Sequence, residues 1–269
     1  MKISVIIPTY KPQDYIFECL NSLKKQTFDK AYFEIIIILN GCKQPYYSML
    51  IKHIEIELSE YNVVYRQTDK GGVSNARNLA LDLSQGEYIT FIDDDDYVSP
   101  TYLEEMYNIA ITGVMPLSNI ISFEDGSNKL LPYYITDVYD RIKDIGISGL
   151  LTARSYMSVP FAKLIGKEII GNRRFNRNIS IGEDSLFMFC ISDKISKFRC
   201  TSSDAIYYRR IRENSATTEK KKIYKHFNDY MKKLSFFTLA WIGSPFKYNF
   251  PFFISRILGS SRAFIYKIK

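Results

Sequence analysis

Between residues 3 and 92 the chain switches repeatedly between short β-branched runs and stretches with helical spacing, and this alternation constrains the fold more than any other feature. Residues 3–7 read as a buried strand that is broken by Pro8-Thr9-Tyr10-Lys11-Pro12. Tyr15, Cys19, Leu20 and Leu23 then recur at helical spacing. Residues 35–39 predict a second strand, closed by the Asn40-Gly41 turn, and a helix is expected over 45–58. A third strand at 63–65, a helix at 73–83 and a fourth strand at 88–92 complete the pattern. Strands that alternate with helices form a sheet covered by those helices, so the expected fold class is α/β, with a Rossmann-like, mostly parallel central sheet. Ligands of such open sheets sit beyond the carboxyl ends of the strands. Thr9-Tyr10, Asn40, Lys70-Gly71-Gly72 and residues 93–96 should therefore converge on one crevice.

The fourth strand runs directly into Asp93, Asp94, Asp95 and Asp96. Four carboxylates at the end of a buried strand persist only if positive charge is supplied. A hard divalent cation with oxygen ligands meets that need. The bland alternative, a solvated acidic turn, fits poorly with the apolar residues on either side.

A chain of 269 residues with 46% hydrophobic content is ample for one large domain with an appendage. No signal peptide precedes the first strand, and no apolar run is long enough to span a bilayer. Cys19, Cys42, Cys190 and Cys200 form no C-x-x-C pair, which suits reduced thiols in a cytoplasmic protein. His53 and His226 read as surface residues, and they offer no paired ligands for zinc. The chain lacks G-x-G-x-x-G after the first strand and any G-x-x-x-x-G-K-[ST], which argues against a dinucleotide oxidoreductase and a P-loop enzyme.

These residues resemble the family 2 glycosyltransferases of GT-A fold. Residues 6–10 are similar to the family's I-I-P-T-Y opening, Ser22-Leu23 with Gln26-Thr27 to its S-L-x-x-Q-T, and residues 72–78 to its G-x-S-x-A-R-N. Residues 86–96 resemble the segment that carries its D-x-D metal motif. Lys163-Leu164, Arg174-Phe175 and the Gly182-Glu183-Asp184-Ser185-Leu186-Phe187 segment, similar to an E-D motif, extend the likeness to about residue 215. One departure is Leu39-Asn40, where many members carry paired acids, one of them touching the base. Asn offers both a donor and an acceptor, so an amide can read uracil instead.

The resemblance implies an inverting transfer of sugar from a nucleotide-sugar donor, with a UDP-sugar expected. Pro8, Thr9, Tyr10, Asn40, Lys70, Gly72, Arg77, Asp93 and Asp94 are the candidate nucleotide-binding residues. The resemblance places ribose at Asp93 and Mn²⁺ or Mg²⁺ at Asp95, with Asp93 nearby. A metal there would offset the charge that develops on the diphosphate. Lys70, Arg77 and the helix start at Gly72-Val73 would add positive potential, although Arg77 reads equally as a helix-face charge bridging the sheet edge. A positioned carboxylate suffices as the base that takes the acceptor's proton. The second acid of the pair, Asp184, is the expected base and Glu183 the next candidate; a helix-capping role for Asp184 is the alternative. Arg209, Arg212 and Ser215 are candidates for a flap over the diphosphate, or else belong to a solvated loop.

The net charge of +7 is unevenly spread, because residues 205–269 hold 14 Lys or Arg against three acids. Ile223, Phe227, Tyr230, Met231, Leu234, Phe237 and Trp241 share one helical stripe, with lysines elsewhere on the helix. Residues 1–215 are thus expected to form the catalytic domain, and 216–269 a basic, aromatic-rich helical appendage. That appendage would either rest on an anionic membrane surface, on the inner face of the cell membrane, or pack on the catalytic domain. The expected acceptor is a glycan or lipid-linked oligosaccharide in surface polysaccharide synthesis, and no nucleic-acid partner is expected. A nucleotidyltransferase would open with a Gly-rich, Arg-containing loop that Pro8-Thr9-Tyr10-Lys11 does not provide. A non-catalytic nucleotide-sugar or membrane-binding module is the third alternative, against which Asp95 and Asp184 argue.

Overall fold

The unbroken apolar runs become the inner strands, because a parallel strand covered on both faces has no polar face to show. In the computed structural model, which describes residues 1–127, 129–212 and 223–268, the first half of the chain builds one sheet. Its parallel strands are β1 (Ile3–Thr9), β2 (Phe33–Asn40), β3 (Asn62–Thr68) and β4 (Tyr88–Phe91), in the spatial order β4-β1-β2-β3. Every residue of β1 and β2 is buried. The crossovers are α1 (Tyr15–Lys24), α2 (Tyr46–Glu57) and α3 (Val73–Leu83).

The one charged residue of β1 and β2 is Glu34, fully buried in β2. Its Oε1 accepts from Ser4 Oγ at 2.6 Å, from the Gln85 amide at 2.6 Å and from the Gly86 amide at 3.2 Å. The carboxylate thus fastens the α3–β4 turn to β1. Gly86 is required there, because a Cβ at that position would lie 2.5 Å from the Ser4 nitrogen.

The second half is mixed rather than parallel. It runs through β5 (Tyr97–Val98), α4 (Tyr102–Asn108), β6 (Val114–Leu117), β7 (Asn119–Glu124), β8 (Leu130–Leu131) and α5 (Tyr134–Ile142). It continues with β9 (Ser148–Gly149), β10 (Ile165–Gly166), α6 (Lys167–Ile170), α7 (Glu183–Ile191), β11 (Lys197–Cys200) and β12 (Ile206–Ile211). Strand β10 extends the central sheet antiparallel to β4. Strand β12 pairs in parallel with β7 and antiparallel with β5, directly after the acidic run, and so brings residues 206–212 against it.

Two helices close the chain, α8 (Ile223–Ile242) and α9 (Phe250–Ile268). They pack on α7 through Phe189, whose ring lies 5.2 Å from Phe237 and 4.8 Å from Tyr248. Phe237 and Phe252 are fully buried. The predicted stripe is therefore divided: Phe237 enters the core, whereas Phe227 and Met231 remain exposed. Among the described residues, no helix is long and apolar enough to cross a membrane.

Candidate active site

The carboxyl ends of β1, β2 and β4 and the start of α3 open onto a cleft of about 800 Å³. Pro8, Thr9, Tyr10, Asn40, Gly72, Asp93, Asp94 and Asp95 all line it, as the strand pattern predicts. Asn40 is 3% exposed and braces the floor. Its Nδ2 donates to the Thr9 carbonyl at 2.7 Å, and its Oδ1 accepts from the Gly72 amide at 2.9 Å. One donor and one acceptor of the amide are thereby committed to holding two strand ends and the helix start together. Gly41 is needed beside it, because its φ is +64° and a Cβ would meet Gly71 Cα at 2.8 Å. Lys70 differs from expectation: its side chain is exposed and it is not part of the cleft wall, which Asp69 joins instead.

The four aspartates divide. Asp93, Asp94 and Asp95 face the cleft, but Asp96 turns inward and is 3% exposed. Asp96 Oδ2 accepts from the Tyr207 hydroxyl at 2.7 Å and Oδ1 from the Arg210 amide at 2.7 Å. Burial, followed by the charges of Asp95 and Asp93, pushes the Asp96 carboxyl well above its usual range. Its role is to anchor β12, which corrects the expectation that all four acids serve the crevice. Asp94 accepts from the Thr9 hydroxyl. Burial and the Asp95 charge raise its carboxyl to about 7.

Asp95 Oδ2 accepts from Arg212 Nε at 2.7 Å and lies 2.6 Å from Arg212 Nη2. Burial and Asp93 raise the Asp95 carboxyl, while Arg212 opposes them. Arg212 also lies over the Tyr15 ring at 4.5 Å and lines the cleft. Of the two arginines expected at the flap, Arg212 thus stands in the cleft beside Asp95, whereas the Arg209 guanidinium lies over Tyr133, 4.7 Å from the ring centroid. Ser215 lies outside the described residues. Alternation along β12 explains the difference, since successive side chains point to opposite faces. The same period places Arg210 with Arg212, and the sequence reading missed this residue. Arg210 Nε donates to the Asp95 carbonyl at 2.8 Å, Nη1 to Asp125 at 2.7 Å, and Nη2 to Glu18.

Arg77 occupies a different place from the diphosphate role considered for it. It is 3% exposed, and its Nη1 donates to Asp184 Oδ1 at 2.6 Å while Nη2 donates to Asp93 Oδ1 at 3.0 Å. Its guanidinium lies over the Phe175 ring at 5.3 Å. The neighbouring Asn78 clamps the same segment, exchanging hydrogen bonds with the Phe175 carbonyl at 2.8 Å and amide at 2.7 Å. Burial alone would weaken the Arg77 charge, but Asp184 and Asp93 outweigh it and keep the group firmly protonated.

The acid pair opens α7. Glu183 is 9% exposed, and burial followed by the Asp184 charge raises its carboxyl to about 8. Asp184 is also raised, by burial first, with Arg77 pulling the other way. The second cation near Asp184 is Lys163, fully buried, whose Nζ donates to the carbonyls of Val159 at 2.6 Å and Phe161 at 2.7 Å. Burial holds the Lys163 ammonium well below its usual range. Asp184 is not in the wall of this cleft; the Arg77 bridge connects it to Asp93, which is.

The cleft offers carboxylate oxygens, the donor type that a hard divalent cation takes. Asp93, Asp94 and Asp95 line it, Asp94 and Asp95 are held above their usual range by burial and by their neighbours' charges, and Arg212 partly compensates them. Asp95 and Asp93 would hold the ion. Among the described residues, no group of three or more His, Cys, Asp or Glu is assembled at ligating geometry.

Comparison with known proteins is consistent with this architecture. The family model described as glycosyl transferase family 2 matches residues 4–254. The poly(ribitol-phosphate) beta-N-acetylglucosaminyltransferase TarS of Staphylococcus aureus is 37% identical over 105 residues, 39% of this chain and 18% of that protein. Glycosyltransferase GlyA of Streptococcus pneumoniae is 25% identical over 226 residues, 80% of this chain and 31% of that protein. The chain thus spans less than a third of the length of these two relatives. The crystal structure of S. aureus TarS 1–349 in complex with UDP-GlcNAc has a TM-score of 0.70 at 23% identity, over 88% of this chain and 66% of that one. That likeness bears out the expected GT-A architecture.

Proposed function

The chain belongs to glycosyl transferase family 2, and from that premise we propose that it moves a sugar from a nucleotide-sugar donor, a UDP-sugar, to a hydroxyl of a glycan or lipid-linked acceptor, with inversion at the anomeric carbon. The observation that carries this reading is the Arg77 bridge, which ties the acid expected to act as base to the aspartate that lines the nucleotide cleft. Asp184 gives one carboxylate oxygen to Arg77 and uses the other to take the proton of the attacking hydroxyl. That proton becomes acidic only as the new bond forms, so a carboxylate is strong enough. Arg77 keeps Asp184 ionised against burial and fixes its position relative to the donor.

Asp93 serves the ribose hydroxyls as an acceptor, and Asp95, with Asp93 nearby, holds Mn²⁺ or Mg²⁺. The ion, when bound, offsets the charge growing on the departing diphosphate. Arg212 lies beside Asp95, compensates its charge, and is placed on the cleft wall to face the diphosphate. Asn40 holds the crevice open at the base end. Residues 1–215 form the catalytic unit.

Residues 216–269 place the enzyme on the cytoplasmic face of an anionic membrane. This reading is supported by the exposure of Leu239, Ile242, Phe246 and Leu258 on two helices and the turn between them, a segment that also carries an excess of lysines and arginines. Phe246, in the turn between α8 and α9, is fully exposed. Acceptors of surface polysaccharide synthesis would be met there. A panel of UDP-, GDP- and dTDP-sugars, each with and without Mn²⁺ or Mg²⁺, tests the donor assignment by thermal stabilisation. A UDP-sugar should raise the melting temperature only with metal present; equal response to all bases, or none to any, would defeat the reading.

A further inference from the structure

A second cavity of about 610 Å³ is lined by residues of α5, α7, α8 and α9 and of the segment 154–158, and shares no lining residue with the first cleft. Arg154, Lys233, Arg256 and Arg262 line it together with Ser158 and Ser185, and no carboxylate is among its lining residues. Ser185 directly follows Asp184. Lys233 packs against Gly182, where a Cβ would come within 2.6 Å of its Cδ. The cavity therefore touches both sides of the acid pair.

Arg256 is the informative member. It is 7% exposed, and its Nη1 donates to Ser158 Oγ at 2.9 Å and Nη2 to the Arg154 carbonyl at 3.0 Å. Its Nε has no hydrogen-bond partner, and among the described residues no carboxylate forms an ion pair with it. Burial and the like charge of Arg154 lower its pKa to about 10. A buried guanidinium without a counter-charge is costly, and a chain that keeps one at a cavity wall beside further cations has built a seat for an anion. Planar guanidinium forks with adjacent hydroxyls match phosphate oxygens in particular.

We propose that this cavity binds a phosphate group of the acceptor, so that the acceptor's hydroxyl one unit away is delivered to Asp184. The inference rests on the glycosyltransferase reading and narrows it to acceptors that carry phosphate close to the attacked hydroxyl, as a polyol-phosphate chain or a diphosphate-linked glycan would.

The test uses the full chain with UDP and Mg²⁺ filling the donor cleft, titrated with glycerol 3-phosphate by calorimetry. Wild type should bind saturably, and Arg154→Gln/Arg262→Gln, at two exposed positions, should bind at least tenfold more weakly, with the affinity for UDP unaltered. Rescue of most of the affinity by Arg154→Lys/Arg262→Lys would add support. Equal affinity in wild type and the Gln variant, or no saturable binding by wild type, overturns the proposal. Vesicles of phosphatidylglycerol provide the second arm. If the Gln variant loses vesicle binding while glycerol 3-phosphate binding is unchanged, the cavity takes a lipid headgroup and the acceptor role is overturned. A wild-type chain that fails to bind UDP yet loses glycerol 3-phosphate through the variant would keep the anion site and refute the donor assignment instead.

Discussion

The buried Arg77 guanidinium donates to Asp184 at 2.6 Å, and its other terminal nitrogen reaches Asp93 on the wall of the large cleft at 3.0 Å. One cation thus positions two carboxylates that come from opposite halves of the chain. Removing it leaves Asp93 without its ion-pair partner and Asp184 with only the buried Lys163 nearby, and it also strips the cation from Glu183, whose Oε1 lies 4.0 Å from Nη1. Breaking a buried ion pair from one side costs about 3–5 kcal/mol, and the partial exposure of Asp93 and Asp184 puts this case at the lower end. Arg77→Met should therefore lower the melting temperature by several degrees, measured by calorimetry. A melting temperature within one degree of wild type would show that the bridge does not contribute to stability.

A gentler change, Arg77→Lys, should act on the pH profile. The Asp184 carboxyl is raised by burial and held down by Arg77, so weakening that contact moves it further up. A base must be ionised to act, so activity that rises with pH should rise later in the variant. The acid limb of kcat/KM should shift to higher pH. An unshifted limb would separate Arg77 from the ionisation of the base.

The donor-free cleft should have an inverted pH dependence of stability. Asp94 is raised to about 7 and Glu183 to about 8, so the folded chain retains protons that the unfolded chain releases near pH 4. Stability then falls as pH rises through that interval, because the folded state binds more protons there. The metal-free melting temperature should drop between about pH 5 and pH 8, and Mg²⁺ with UDP should flatten the slope. A melting temperature that climbs over this range would contradict the assignment of buried, mutually repelling carboxylates.

The central strands were legible in the sequence because burial on both faces leaves them nothing but apolar residues, and the two-residue period of β12 was there to be used. Arg209, Arg210 and Arg212 alternate by that period, and it alone would have separated the residue over Tyr133 from the two beside the acids. Which aspartate of the run turns inward could not be read locally. Asp96 is claimed by Tyr207 and the Arg210 amide, more than a hundred residues further on. The same holds for Gln26, whose amide binds the Ser99 carbonyl at 2.8 Å and the Leu103 amide at 2.9 Å. Gln26 and Asn78, both in motifs that mark the family, thus clamp segments that lie far apart in the chain. The split of the terminal stripe into buried Phe237 and exposed Phe227 depends on where α7 lies, which helical spacing does not encode.

The terminal helices offer a further prediction. Phe237 is fully buried against Phe189, and truncation of such a ring costs about 3–5 kcal/mol. Phe237→Ala should destabilise the chain by that order in urea titration, whereas Phe246→Ser, at a fully exposed ring, should leave stability unchanged and weaken binding to anionic vesicles in low salt. Vesicle binding that is indifferent to Phe246 and to salt would remove the membrane role from these helices.

The most direct measurement is release of UDP from a UDP-sugar by the full chain, compared between wild type and Asp184→Asn. The amide keeps the shape of the carboxylate but cannot take a proton, so acceptor-dependent release should fall by roughly two to four orders of magnitude while calorimetry shows UDP and metal bound as before. Release within a few-fold of wild type would place the base elsewhere and contradict the role assigned to Asp184.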